Sequence, residues 1–194
     1  MVLVLASASS RRAAMLAERY PAMPVSQIPL RARERAHAPG TPVCDQVERT
    51  LTGKASAATL ECDAPLVVVA DTLVEDPDDP SMPLGQPSDA RAALTMLLRL
   101  AGRRHRVWSG TTILHAGEAH TFVESATVEI ARLTDEQVAG LIESGSWRGK
   151  AGGYDLAGAM KPYGKLVEGD ADTVLGFAAS ALRWLDGLLG DSTD

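Results

Sequence analysis

Residues 66–74 are the part of the sequence that most restricts its fold, because they form a nearly continuous apolar run that Asp71 interrupts. A short apolar run rich in β-branched residues is typical of a strand buried on both faces. The run therefore predicts an interior strand, and it places an aspartate within that strand.

Strand and helix patterns alternate along the rest of the chain. A short strand is predicted over residues 2–5, two long strands over 104–115 and 119–132 around Gly117, and an acidic, proline-rich loop over 75–83. Helices are predicted over residues 10–20, from Val43 through Ala55 with Lys54 near the end, from Ser88 or Asp89 to about Leu100, after a Thr134–Gln137 capping box, and from about 174 to 189. The alternation predicts one α/β domain over residues 1–194, and the long hairpin favours a mixed, twisted sheet flanked by helices.

An anion site is predicted where the first strand meets the first helix, in the segment Leu-Ala-Ser-Ala-Ser-Ser-Arg-Arg at residues 5–12. Backbone N–H groups, the Ser7 hydroxyl and the guanidinium groups of Arg11 and Arg12 come together at a helix N-terminus. This arrangement suits a polyphosphate, because the helix dipole and the unpaired amides add to the arginine charge.

Charge distribution supports this interpretation. Residues 1–40 contain six arginines and two glutamates, a balance of +4, although the whole chain has a net charge of −6. Two other interpretations stay open on these residues alone: an ordinary N-cap by Ser9 or Ser10, and solvated surface arginines. A signal peptide is disfavoured, because no positive charge precedes the apolar run and that run is too short.

Asp71 is the second candidate for chemistry. A buried carboxylate is costly unless a metal, a lysine or a hydrogen-bond network compensates it, although backbone donors at a strand end or bulge could do the same. A buried acid near a phosphate-binding turn could hold Mg²⁺ or activate water. Lys54 lies one step off the apolar stripe of its helix, which is the usual place of a surface lysine. Glu34 is a weak candidate by itself.

Composition excludes several classes of function. The negative net charge argues against a nucleic-acid polymer as partner, and no apolar run is long enough to span a membrane. Cys44 and Cys62 imply no disulfide framework, which is consistent with a cytoplasmic protein. The four histidines have neither helical pair spacing nor cysteine partners, so no zinc site is expected.

Four segments in order resemble the Maf family of nucleoside triphosphate pyrophosphatases. They are residues 5–12, the Val-Ala-Asp-Thr segment 69–72, the Leu-Gly-Gln-Pro turn 84–87 and the Lys-Ala-Gly-Gly-Tyr segment 150–154. The resemblance implies two lobes around a central cleft and hydrolysis of a nucleoside triphosphate to a monophosphate and pyrophosphate, with Mg²⁺ or Mn²⁺ as the metal and a homodimer as a possible assembly. The Asp-Thr pair resembles the members that act on dTTP and UTP, so a pyrimidine or modified nucleotide is the expected substrate.

Residue roles follow from the same resemblance. Ser7, Arg11, Arg12, Thr72 and Gln86 would bind substrate, Asp71 and Lys54 would be catalytic, and Glu34 and Asp71 would hold the metal.

Three positions depart from the family pattern. Gln86 stands where the family has lysine, Ala157 where it has glutamine, and Gly149 where it has aspartate. Loss of a cation from a phosphate site commonly costs several kcal/mol of transition-state stabilisation. The alternative function is therefore a nucleotide-binding regulatory protein with little or no turnover.

Overall fold

The computed structural model describes residues 2–31 and 38–190. The strands are β1 (Leu3–Leu5), β2 (Val25–Gln27), β3 (Leu66–Asp76), β4 (Asp79–Leu84), β5 (Arg104–His115), β6 (Glu118–Ile130) and β7 (Gly164–Glu168). The helices are α1 (Ser10–Arg19), α2 (Val43–Glu61), α3 (Ala90–Leu100), α4 (Asp135–Glu143), α5 (Ala171–Leu175) and α6 (Ala179–Gly190).

Within the described residues, these strands form one mixed sheet in the order β2-β1-β3-β5-β6-β7, and β4 pairs with β3 outside that path. Strand β1 runs parallel to β2 and β3, because α1 and α2 carry the chain back to the end of the sheet at which the previous strand began. From β3 onward the neighbours β5, β6 and β7 are antiparallel. The prediction of a mixed α/β sheet is confirmed.

Strand β3 lies at the centre of the fold and is covered on both faces, as its apolar run predicted. Val68 and Ala70 pack with Phe177 and helix α6 on one face, whereas Val67 and Val69 pack with helix α2 on the other. Successive side chains of a strand point to opposite faces, so one run supplies both layers of the core. A further cluster lies beneath helix α3 and includes Val74 at the far end of β3.

Two local predictions were wrong. Residues 75–83 are not a loop, because β3 continues to Asp76 and β4 returns along it as a hairpin. The prolines of β4 are tolerated because an edge strand can spare the backbone donors that proline lacks. The predicted last helix is interrupted: α5 ends at Leu175, α6 begins at Ala179, and Gly176 between them has a φ of 123°.

The helix caps follow the sequence closely. Asp89 accepts a hydrogen bond from the backbone of Ala92 at the start of α3, and Thr134 and Gln137 form the predicted capping box at the start of α4. No helix in the described part of the chain has both the length and the apolar character needed to cross a bilayer.

Candidate active site

A cavity of about 370 Å³ opens beside the carboxyl ends of β1 and the N-terminus of α1. Seven of the predicted site residues line it together: Ser7, Arg11, Arg12, Lys54, Asp71, Thr72 and Gln86. Glu34, the remaining predicted residue, lies outside the described residues. The structure therefore brings these predicted segments together at one cavity, and it also shows how their side chains are paired.

The turn between β1 and α1 is held by its own serines. Ser9 caps the helix, since its hydroxyl accepts from the backbone N–H of Arg12 at 3.4 Å. The Ser7 hydroxyl accepts from the backbone N–H of Ser9 at 3.2 Å. The N-cap interpretation is therefore confirmed for Ser9, and the capped first turn also forms one wall of the cavity.

Arg12 forms hydrogen bonds to four acceptors within the protein. Its guanidinium donates to the Gly176 carbonyl at 2.8 Å, the Thr72 hydroxyl at 2.8 Å, the Ala70 carbonyl at 3.1 Å and the Ser7 hydroxyl at 3.4 Å. Burial lowers the pKa of Arg12 to about 10, and the nearby Asp71 carboxylate opposes that shift. Arg12 thereby joins the N-terminal turn, strand β3 and the α5–α6 junction into one framework.

A chain of hydroxyl groups continues from Arg12 into the core. Thr72 Oγ1 lies 2.8 Å from Ser109 Oγ, and the Ser109 hydroxyl donates to the Thr173 carbonyl at 2.7 Å. Since the Ser109 proton is used on Thr173, the Thr72 hydroxyl donates to Ser109 and accepts from Arg12. Sequence reasoning missed Ser109, because a single serine in a long strand carries no local signal.

Lys54 turns inward and compensates Asp71. Its ammonium group lies 2.6 Å from Asp71 Oδ1, and the Asp71 residue is only 8% exposed. The expectation of a surface lysine is therefore wrong, and of the three compensating groups that the sequence left open, a lysine is present. Helix α2 reaches this position because Leu51, one turn before Lys54, packs over Gly110, the β5 partner of Asp71.

A second wall of the cavity comes from two turns far apart in sequence. The Gly152 backbone N–H donates to the Gly85 carbonyl at 3.0 Å, which joins the turn carrying Gln86 to the glycine-rich segment carrying Lys150. Arg148 also lines this side, and its guanidinium carbon lies 4.8 Å from the centroid of the Trp147 ring. No sequence motif pointed to Arg148, and Lys150 was predicted only as part of the segment 150–154.

The described lining of the cavity is strongly cationic. It contains five basic side chains, those of Arg11, Arg12, Lys54, Arg148 and Lys150, and one carboxylate, that of Asp71. A concave surface with this excess of positive charge attracts and orients a polyanion. A single carboxylate among the cations adds a group that can accept a proton or bind a metal ion.

The donor chemistry at Asp71 suits a hard divalent cation. Mg²⁺ is commonly held by one or two carboxylates together with substrate phosphates and water, so a single carboxylate in a phosphate-binding cavity fits that pattern. Residues 2–31 and 38–190 contain no cluster of three histidine, cysteine, aspartate or glutamate side chains placed to hold a metal.

Known proteins are similar to this chain in sequence and in fold. The family model described as Maf-like protein matches residues 2–185. A dTTP/UTP pyrophosphatase of Granulibacter bethesdensis is 36% identical over 190 residues, which cover 90% of this chain and 86% of that protein. A dTTP/UTP pyrophosphatase of Pyrococcus horikoshii is 30% identical over 179 residues, covering 91% of this chain and 90% of that protein. Among solved structures, the Staphylococcus aureus Ham1 protein is similar in fold, with a TM-score of 0.50 and 16% identity over 68% of this chain and 72% of that chain.

Proposed function

The chain belongs to the family of Maf-like proteins, and we propose that it hydrolyses nucleoside triphosphates to nucleoside monophosphates and pyrophosphate. The observation that carries the proposal is the cavity that four arginine and lysine side chains line together with the Asp71–Lys54 pair. The two relatives named as dTTP/UTP pyrophosphatases support a pyrimidine nucleotide as the substrate.

In the proposed reaction, water attacks the α-phosphorus and the bond from that phosphorus to the bridging oxygen breaks, so that pyrophosphate leaves. Arg11, Lys150 and Arg148 would hold the β- and γ-phosphates and neutralise the charge that develops on the bridging oxygen. The first turn of α1 would add its backbone N–H groups to the same phosphates.

Asp71 would accept the proton of the attacking water. Its Oδ1 atom lies 2.6 Å from the Lys54 ammonium, a contact that fixes the position of the carboxylate in the cavity. Lys54 would thus act through Asp71 and also add positive charge near the reacting phosphate.

A divalent cation, Mg²⁺ or Mn²⁺, is part of the proposal. Asp71, together with Glu34 and the triphosphate oxygens, would supply its ligands, and the ion when bound would neutralise charge on the phosphates.

Thr72 and Gln86 have different places in this scheme. The Thr72 hydroxyl is already bonded to Arg12 and Ser109, which favours a part in fixing the cavity floor beside the substrate. Gln86 is exposed and uncharged at the rim, where its amide can hydrogen-bond to a base or a phosphate. Arg148 brings positive charge to the side of the cavity where Gln86 brings none. The homodimer and the cytoplasmic location stay predictions.

The proposal is tested by pyrophosphate release from a panel of standard and modified nucleoside triphosphates, with Mg²⁺ and with Mn²⁺. We expect release from dTTP and UTP, and a loss of at least about 100-fold in kcat for Asp71→Asn, because a positioned base contributes about that much or more. Asp63→Asn is the matched control, since Asp63 is exposed and lies outside the cavity.

Two outcomes would overturn the proposal. Wild-type turnover by Asp71→Asn would remove Asp71 from the chemistry. Nucleotide binding without pyrophosphate release from any member of the panel would favour the regulatory function instead.

A further inference from the structure

Asp155 lies between two of the cationic side chains that line the cavity. Its Oδ1 atom is 3.7 Å from Arg11 Nη1, and its Oδ2 atom is 3.8 Å from Lys150 Nζ. Each carboxylate oxygen thus faces a different cation. Arg11 and Lys150 belong to the described cavity lining, whereas Asp155 does not.

These contacts are ion pairs without hydrogen bonds. Both distances exceed the 2.7–3.2 Å range of an N–H···O hydrogen bond. Asp155 Oδ1 and Arg11 Nε are both buried and have no hydrogen-bond partner among the described residues. Buried polar atoms without partners are unfavourable, so this cluster retains hydrogen-bonding capacity that its own members do not use.

A polyphosphate in the cavity would change that balance. Phosphate oxygens can accept bidentate hydrogen bonds from a guanidinium, and they would supply Arg11 and Lys150 with the short, charge-assisted contacts that Asp155 does not give. Asp155 and the bound phosphate, both negatively charged, would then share Arg11 and Lys150. Its charge therefore opposes the binding of phosphate.

We propose that Asp155 is a counter-anion that competes with phosphate for Arg11 and Lys150, and that it weakens the binding of both the triphosphate and the pyrophosphate product. The inference rests on the proposed function for its biological meaning: weaker product binding speeds the release of pyrophosphate. The competition itself concerns inorganic polyphosphate and can be measured without turnover.

The test is calorimetric titration of the folded chain with sodium tripolyphosphate and with sodium pyrophosphate. Asp155→Asn keeps the shape of the side chain and removes its charge. Two partly exposed ion pairs are each worth up to several-fold in an equilibrium constant, so we expect about tenfold tighter binding, which corresponds to about 1.4 kcal/mol.

Controls separate this local effect from others. Glu118→Gln removes one negative charge from an exposed hairpin residue and should leave binding unchanged. In a Lys150→Met background, Asp155→Asn should give a smaller gain, because one of the two competed cations is gone. Asp155→Ala is the second variant, and it should also bind more tightly if Asp155→Asn fails to fold.

The proposal is overturned if Asp155→Asn binds polyphosphate with unchanged or weaker affinity, since that would make the carboxylate a positioning group for the cations. Absence of measurable binding in both proteins overturns it too. Tighter binding by Asp155→Asn in a chain that releases no pyrophosphate from nucleotides would support the counter-anion and contradict the proposed hydrolysis, so the two proposals fail separately.

Discussion

Gly110 has no Cβ atom, and this lets helix α2 pack closely against the sheet beside Asp71. It is paired with Asp71 across β3 and β5 and lies under helix α2. A Cβ at this position would lie 2.2 Å from Leu51 Cδ1 and 2.8 Å from Val47 Cγ1, whereas ordinary contacts are 3.4–4 Å. Gly110→Ala therefore forces the helix outward by roughly an ångström or drives Leu51 out of its rotamer.

We expect Gly110→Ala to lower the free energy of unfolding by about 3 kcal/mol, the upper part of the usual range for overpacking a core. Urea unfolding followed by circular dichroism measures this change. Gly53→Ala is the matched control, because Gly53 is an exposed position inside α2 where an added Cβ would point into open space. There the same substitution should stabilise by about 0.5–1 kcal/mol, since alanine favours helix more than glycine does.

A double mutant shows whether Leu51 is the cause. Leu51→Ala alone should lower the free energy of unfolding by about 2–5 kcal/mol. The double mutant with Gly110→Ala should be destabilised by at least about 1 kcal/mol less than the sum of the two single mutants. Activity should also fall, because Lys54 follows Leu51 by one turn and its contact with Asp71 moves with the helix. An unfolding free energy within 0.5 kcal/mol of wild type, or strict additivity with Leu51→Ala, would refute the steric argument.

Two further predictions concern the buried side chains of His105 and Arg12. Burial lowers the pKa of His105 from 6.5 to about 4. Between these values the unfolded chain binds a proton that the folded chain does not. The free energy of unfolding should therefore fall by roughly 3 kcal/mol as the pH falls from about 7 to 4. In urea unfolding across this range His105→Gln should show a shallower pH dependence, and a profile parallel to wild type would count against the histidine. Arg12→Lys should lower the free energy of unfolding by about 2–4 kcal/mol although it keeps the charge, because one ammonium cannot reach all four acceptors of the guanidinium. The exposed Arg183→Lys serves as its control, and a loss equal to that control would show that charge alone matters at position 12.

Elements with strong local signals were predicted from the sequence. The composition of the β3 run is enough to predict that it is buried. The capping residues Asp89 and Thr134 form hydrogen bonds to residues only three positions away in sequence. Strand β7 has mostly exposed residues and no such pattern, and it exists because β6 offers it a partner. The break at Gly176 was missed because the apolar pattern continues across it.

For the candidate site, the sequence likewise indicated the segments but not the contacts between their side chains. The resemblance identified the segments that converge on the cavity, because each carries a short motif. It could not show which side chains pair, since Lys54 and Asp71 are 17 residues apart and Arg12 and Gly176 are 164 apart. Pairing at such distances is set by the sheet order and by how closely α2 approaches β5. Asp155 belongs to this second kind of information, because its partners are known only once Arg11 and Lys150 are placed.

The interrupted C-terminal helix supplies two carbonyl acceptors to the side chains at the floor of the cavity. Two routes connect that floor to the α5–α6 junction: Arg12 donates to the Gly176 carbonyl, and the Thr72–Ser109 pair ends on the Thr173 carbonyl. The last carbonyl groups of a helix have no partner within the helix, so the break after α5 leaves carbonyl groups that side chains can reach. At 123° the φ of Gly176 favours glycine, and a Cβ there would lie 3.0 Å from Arg12 Nε. The break between α5 and α6 thus gives Arg12 both a backbone acceptor and the space beside it.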